Sequence, residues 1–180
     1  MLHINVPGRE FFNEKSQEFI TIPGASLALE HSLVSISKWE SKWHKPFLDT
    51  TEKTQEEVLD YIKCMTLTQN VNPDIYSILT TDNMSDINNY INDSMTATTF
   101  SESKTTSHKK EVVTSELVYY WMIALQIPFE CQKWHINRLL TLIRVCNIKN
   151  QPPKKMSKND ILSRNKSLNA ARKAKLHSRG

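Results

Sequence analysis

Apolar and polar residues alternate strictly at the start of the chain. "LHINV" (2–6) has this two-residue period and is closed by Pro7-Gly8, and "EFITIP" (18–23) repeats it. Two such runs joined by a polar stretch predict a β-hairpin, and the continuing alternation of Leu27 and Leu29 allows a third short strand. From Ser32 the period lengthens to that of a helix. Leu33, Ile36, Trp39 and Trp43 fall on one stripe, and Pro46 marks its end. Thr54 and Glu57 form a capping box, in which each side chain satisfies a free backbone amide at a helix start, and Val58, Tyr61, Ile62 and Met65 supply the apolar face behind it. Asn72-Pro73 opens a further short helix with apolar Ile75, Ile78 and Leu79. "MSDINNYIND" carries Ile87, Tyr90 and Ile91 at helical spacing.

The stretch 94–110, "SMTATTFSESKTTSHKK", holds too little apolar surface to offset the entropy of ordering and reads as a linker. After it comes the most apolar part of the chain, "ELVYYWMIALQIPFECQKWHINRLLTLIRVCN" (116–147). A membrane span needs roughly 20 apolar residues. Here the run is cut by Gln126 and Pro128, and Lys133, Arg138 and Arg144 follow. The pattern instead predicts two helices joined at Pro128. One buries Val118, Trp121, Met122 and Leu125, the other Trp134, Leu139, Leu142, Ile143 and Cys146, and the stripes pack on each other and on the N-terminal helices. "NQPPKK" then breaks the chain before a last, sparsely apolar helix capped by Ser157 and Asp160.

The expected fold is therefore α+β and mainly α. A hairpin region (1–30), a helical part (31–93), a linker (94–110) and a helical hairpin of the same domain (111–149) precede a basic arm (150–180). Length supports this, because 180 residues suit one domain or slightly more. Apolar residues make up 39%, which leaves some segments solvated. Only three glycines occur, too few for phosphate-cradling loops or an all-β fold rich in tight turns.

Charge changes the picture more. The net +4 divides unevenly: residues 151–180 carry nine Lys or Arg against one acid, while the first 150 carry 14 basic and 18 acidic side chains. A mildly acidic body with a cationic arm points to an acidic partner surface or to nucleic acid. Candidate contact residues on the arm are Lys154, Lys155, Arg164, Arg172, Lys173 and Lys175. A second candidate surface is the helix after Ser32, where Lys38 and Lys42 interleave with Trp39 and Trp43. Those tryptophans read either as a core-packed face or as exposed anchors of the kind that dominate protein interfaces.

Candidate chemistry is sparse. Cys64, Cys131 and Cys146 form no closed disulfide set and fit buried thiols in a reducing compartment. These thiols lead to the expectation of a cytosolic setting, and no basic and apolar leader is visible at the start. Cys131 and His135 are four apart and share a helix face, but a thiol nucleophile needs a base in reach and a zinc site needs two more ligands. No phosphate-binding loop, nucleophile elbow, zincin motif or paired acidic motif is present. The expectation is a binding or assembly protein, with no catalytic residues, cofactor or metal.

Five segments, "LEHSLVSISKWESKWHKPF", "CMTLTQNV", "MTATTF", "YYWMIALQIPFECQKWHINRLLTLIRVCNIKN" and "PPKKMS…SRN…LNAAR", resemble small proteins of tailed bacteriophages of Gram-positive hosts. These are similar to tail assembly chaperones, and the resemblance spans nearly the whole chain. It implies a non-catalytic role in the infected cell: binding the tape-measure protein, keeping it soluble and assisting tail-tube subunits to assemble around it. It carries over no ligand residues. The alternatives are a virion component, such as a head–tail connector or tail completion protein, and a nucleic-acid-binding protein using the basic arm.

Overall fold

The fold was analysed in a computed structural model, which describes residues 1–13, 17–100, 112–151 and 158–176. It is mainly helical with a small N-terminal β region, the α+β class expected. The chain divides into two compact units, Met1–Asn147 and Ile148–Gly180.

Four strands open the first unit: β1 (Leu2–Val6), β2 (Arg9–Asn13), β3 (Glu18–Ile22) and β4 (Ala25–Leu29). The pairing differs from expectation. β1 pairs with β4 and β2 with β3, both antiparallel, so the segment 2–6 does not pair with 18–23. The reason is a register shared by both ladders. Leu2 faces Leu29, Val6 faces Ala25, Arg9 faces Ile22 and Asn13 faces Glu18, all on one continuous count. That count sets Pro7-Gly8 opposite Pro23-Gly24. Proline has no N–H to give the ladder, so the pairing lapses there. The two glycines let the strands stay close across the gap: a Cβ on Gly8 would lie 2.8 Å from the Gly24 nitrogen, and one on Gly24 would lie 2.7 Å from the Gly8 nitrogen. The result is one long hairpin with a break in its middle. Its base buries Ile4, Val6, Leu27 and Leu29 and turns His3, Asn5 and Ser26 outward, as the two-residue period requires.

Helices cover the base. α1 (Leu33–Trp43) starts at a Ser32–Ser35 capping box and ends at His44 in the left-handed region. α2 (Gln55–Met65) starts at the expected Thr54–Glu57 box. Asn72 caps a 3-10 turn, Pro73–Ile78, whose first residue is the expected proline. α3 (Thr81–Asn92) begins earlier than the apolar pattern indicates, because Thr80 and Asn83 cap each other. α4 (Ser115–Ala124) is followed by a second 3-10 turn, Phe129–Lys133, and by α5 (Ile136–Asn150). The expected pair of mutually packed helices therefore needs correcting. Pro128 opens a 3-10 turn and not a continuous second helix, Trp134 lies outside α5, and α4 packs chiefly on α1.

Residues 30–32 tie these parts together. The Glu30 amide donates to the Met65 carbonyl (2.9 Å), and the Ile136 amide donates to the His31 carbonyl (2.8 Å). This short link between hairpin and α1 is thus held by the end of α2 on one side and the start of α5 on the other. Residues 94–100 carry no regular structure, and 101–110 of the expected linker lie outside the described residues. In the second unit, α6 (Lys158–Leu176) is a 19-residue helix with every residue exposed.

Candidate partner-binding surfaces

The face expected around Lys38, Trp39, Lys42 and Trp43 is mostly committed to the fold. Trp39 is 1% exposed, stacks beside Trp43 and meets the edge of Phe47, and its indole N–H donates to the Glu57 carbonyl at 2.9 Å. It is a core residue and not one of the candidate surface anchors, which corrects that expectation. Trp43 is half-buried and donates to Asp60 at 2.9 Å. Lys42 pairs with the other oxygen of Asp60, and Lys45 pairs with Glu57. Burial pushes the Asp60 carboxyl up, but the hydrogen bonds from Lys42 and Trp43 outweigh it and hold the group below its ordinary range. The Lys45 bond and the Thr54 amide do the same for Glu57. These charges brace α1 against α2; Lys38 and Lys42 are the exposed members of the expected face, and Lys42 is engaged with Asp60.

On the other side of α1, Glu40 is a buried carboxylate with both oxygens used. It accepts the Phe47 amide at 2.8 Å and the Ser115 amide at 2.7 Å. It thereby fixes the loop after α1 and the first residue of α4, where a negative charge also suits the helix dipole. Glu40→Gln keeps the shape but turns one acceptor into a donor facing an amide. The expected cost is about 2–4 kcal/mol in urea-induced unfolding.

The densest titratable cluster is internal. His31 and His135 meet edge to face with centroids 5.0 Å apart, Tyr61 bonds to His31 Nδ1, and Tyr90 stands edge-on to His135. The Asn137 amide donates to His135 Nδ1 (3.3 Å), so Nε2 carries the proton and donates to the Tyr90 carbonyl (2.9 Å). The Tyr90 hydroxyl donates to Glu30, which also pairs with the N-terminal amine at 2.9 Å. Burial, with His135 adding to it, lowers the His31 pKa to about 3. Burial also lowers that of His135, against the pull of the Tyr90 carbonyl. Burial raises the Tyr61 and Tyr90 hydroxyls well above their ordinary range. Both imidazoles are thus neutral, buried and engaged in structural bonds. His135 has no ring nitrogen left over to activate the Cys131 thiol, and the cluster does the work of a polar core. Among the described residues, no group of three or more His, Cys, Asp or Glu could hold a metal ion.

The surface that pattern reading missed is the far half of the hairpin. β2 and β3 carry Phe11, Phe12, Phe19 and Ile20 into solvent, with Phe19 68% and Phe12 54% exposed. Phe12 and Phe19 are cross-strand partners with ring centroids 5.1 Å apart on one face, and the Thr21 hydroxyl donates to Glu10 beside them. Phe11 and Ile20 pair on the other face, which with Ile22, Asp74 and Ser77 lines an open cleft of about 450 Å³. At these exposures each face of the ribbon leaves on the order of 200 Å² of apolar surface in water, from two adjacent large side chains per face. A signal was available in the sequence, because "REFF" and "EFITI" keep the same count across the two Pro-Gly pairs that links Leu2 to Leu29.

Of the arm residues, Arg164, Arg172, Lys173 and Lys175 lie on α6, and Lys154 and Lys155 fall outside the described residues. Among the described residues, no helix is long and apolar enough to cross a membrane. No family model matches the chain, and no curated protein or solved structure matches it.

Proposed function

We propose that this chain is a non-catalytic assembly factor, a tail assembly chaperone of a tailed bacteriophage that binds the tape-measure protein in the infected cell. The family resemblance of its motifs supplies the partner. The observation that carries the binding role is the projecting half-hairpin: exposed apolar side chains held on a register-locked ribbon whose base buries Ile4, Val6, Leu27 and Leu29 in the core. Such a ribbon offers aromatic side chains on both faces and two strand edges to an amphipathic segment, and binding through it needs no rearrangement of the core.

The test is co-purification of the tape-measure protein with the chain, comparing the natural sequence with Phe12→Asp/Phe19→Asp. Both side chains are exposed, so the double variant should unfold within about 1 kcal/mol of the natural chain. Loss of two aromatic anchors should weaken association by at least about tenfold. Undiminished association of the double variant would refute the hairpin as the contact. The competing reading is a stoichiometric virion component, and several copies of the chain per purified particle would favour it.

A further inference from the structure

We propose that α6 is a binding site for duplex nucleic acid, engaging its phosphate backbone independently of the partner surface on the hairpin. Lys158, Arg164, Lys166, Arg172, Lys173 and Lys175 are spaced so that, at 3.6 residues per turn, all six occupy one broad side of the helix. The opposite side is small, with Ser163, Ser167, Ala170 and Ala174 following one another at helical spacing and Asp160 beside them. Asp160 is the one acid in the helix. All 19 residues are exposed, so the cationic side is presented along its full length.

Charge complementarity selects the ligand. The helix is about 28 Å long, close to one duplex turn, and its width fits a major groove of about 12 Å. A duplex presents negative charge continuously over that distance, whereas a protein surface offers scattered carboxylates. Asn165 and Asn169 lie on the same side and add uncharged donors for phosphate or base edges. Ile161, Leu162 and Leu168 among the cations suit contact with sugars and thymine methyls. α6 contains no aromatic residue, the main platform on which unpaired bases stack, and a duplex is favoured over a single strand. The acidic body works against nucleic acid, which confines the contact to the arm.

Fluorescence anisotropy of a labelled duplex of about 24 base pairs, titrated with the full chain, tests this. Engagement of four or five phosphates predicts a slope near −4 for log affinity against log salt, a loss of about a few hundredfold between about 50 and 200 mM. Lys166→Glu/Arg172→Glu/Lys173→Glu should weaken binding at least about thirtyfold at the lower salt. It should leave the thermal unfolding of the first unit unchanged. The proposal is overturned by any of three results: no binding at low salt up to about 50 µM chain, a salt-independent affinity, or equal binding by the triple variant. Displacement of the duplex by poly-glutamate at matched charge also overturns it and assigns α6 to an acidic protein partner.

Discussion

Trp39→Ala should destabilise the first unit by about 3–5 kcal/mol. Trp39 sits at the junction of α1, α2 and the loop carrying Phe47, with 1% of its surface exposed. Truncation removes the largest fully buried side chain, opens a cavity between two helices and strips the Glu57 carbonyl of its indole donor. Phe47 stacks on Tyr61 within the same aromatic group, so the loss spreads to the His31 cluster. Chemical denaturation gives the magnitude. A cost below about 1 kcal/mol would place Trp39 at the surface, where the sequence pattern also allowed it.

The second large effect is acid sensitivity. His31 is held near a pKa of 3, against about 6.5 in the unfolded chain. Below 6.5 the unfolded state takes up a proton that the folded state refuses, so stability is complete above that pH and falls as pH drops towards 3. One such group costs about 1.4 kcal/mol per pH unit, or about 2–3 kcal/mol by pH 4.5. His135 is shifted in the same direction and steepens the slope. Denaturation midpoints measured from pH 7.5 to about 4.5 should show this decline. His31→Gln keeps a hydrogen-bonding partner for Tyr61 and removes the titrating group, so its decline should be shallower. An unchanged slope in that variant would assign the acid limb to other groups.

Much of this fold is legible where the cause is local. The Thr54–Glu57 box, the Asn72-Pro73 start and the stripe from Leu33 to Trp43 depend on neighbours within four residues, and each marks a real element. The start of α3 is harder to read, because Asn83 closes the box in place of the usual Glu or Gln. The misread features depend on distant partners. Strand pairing in the hairpin turns on a register spanning 28 residues, and alternation within each strand does not fix it. The segment after Pro128 has helical spacing, but its backbone is drawn aside to pair with residues 31–32, so α5 starts only at Ile136. Lys38 and Lys42 beside Trp39 resemble an exposed contact site. The sequence does not show that Asp60 and Glu57, on another helix, take up Lys42, Lys45 and both indoles.

The candidate surfaces follow the same rule. The cationic character of α6 is a property of composition and is visible without any structure. The apolar patch on β2 and β3 is not, because Phe11, Phe12, Phe19 and Ile20 look like core residues until the hairpin base has filled the core without them. Their exposure is what supports the proposed binding role.

Hydrogen exchange on the full chain, free and bound to the tape-measure protein, tests that account most directly. It predicts new protection in peptides covering 9–13 and 18–22, with the base strands and the α1–α2 core unchanged. Protection confined to α1 and the Trp43 edge, with the hairpin tip exchanging as freely as before, would contradict it.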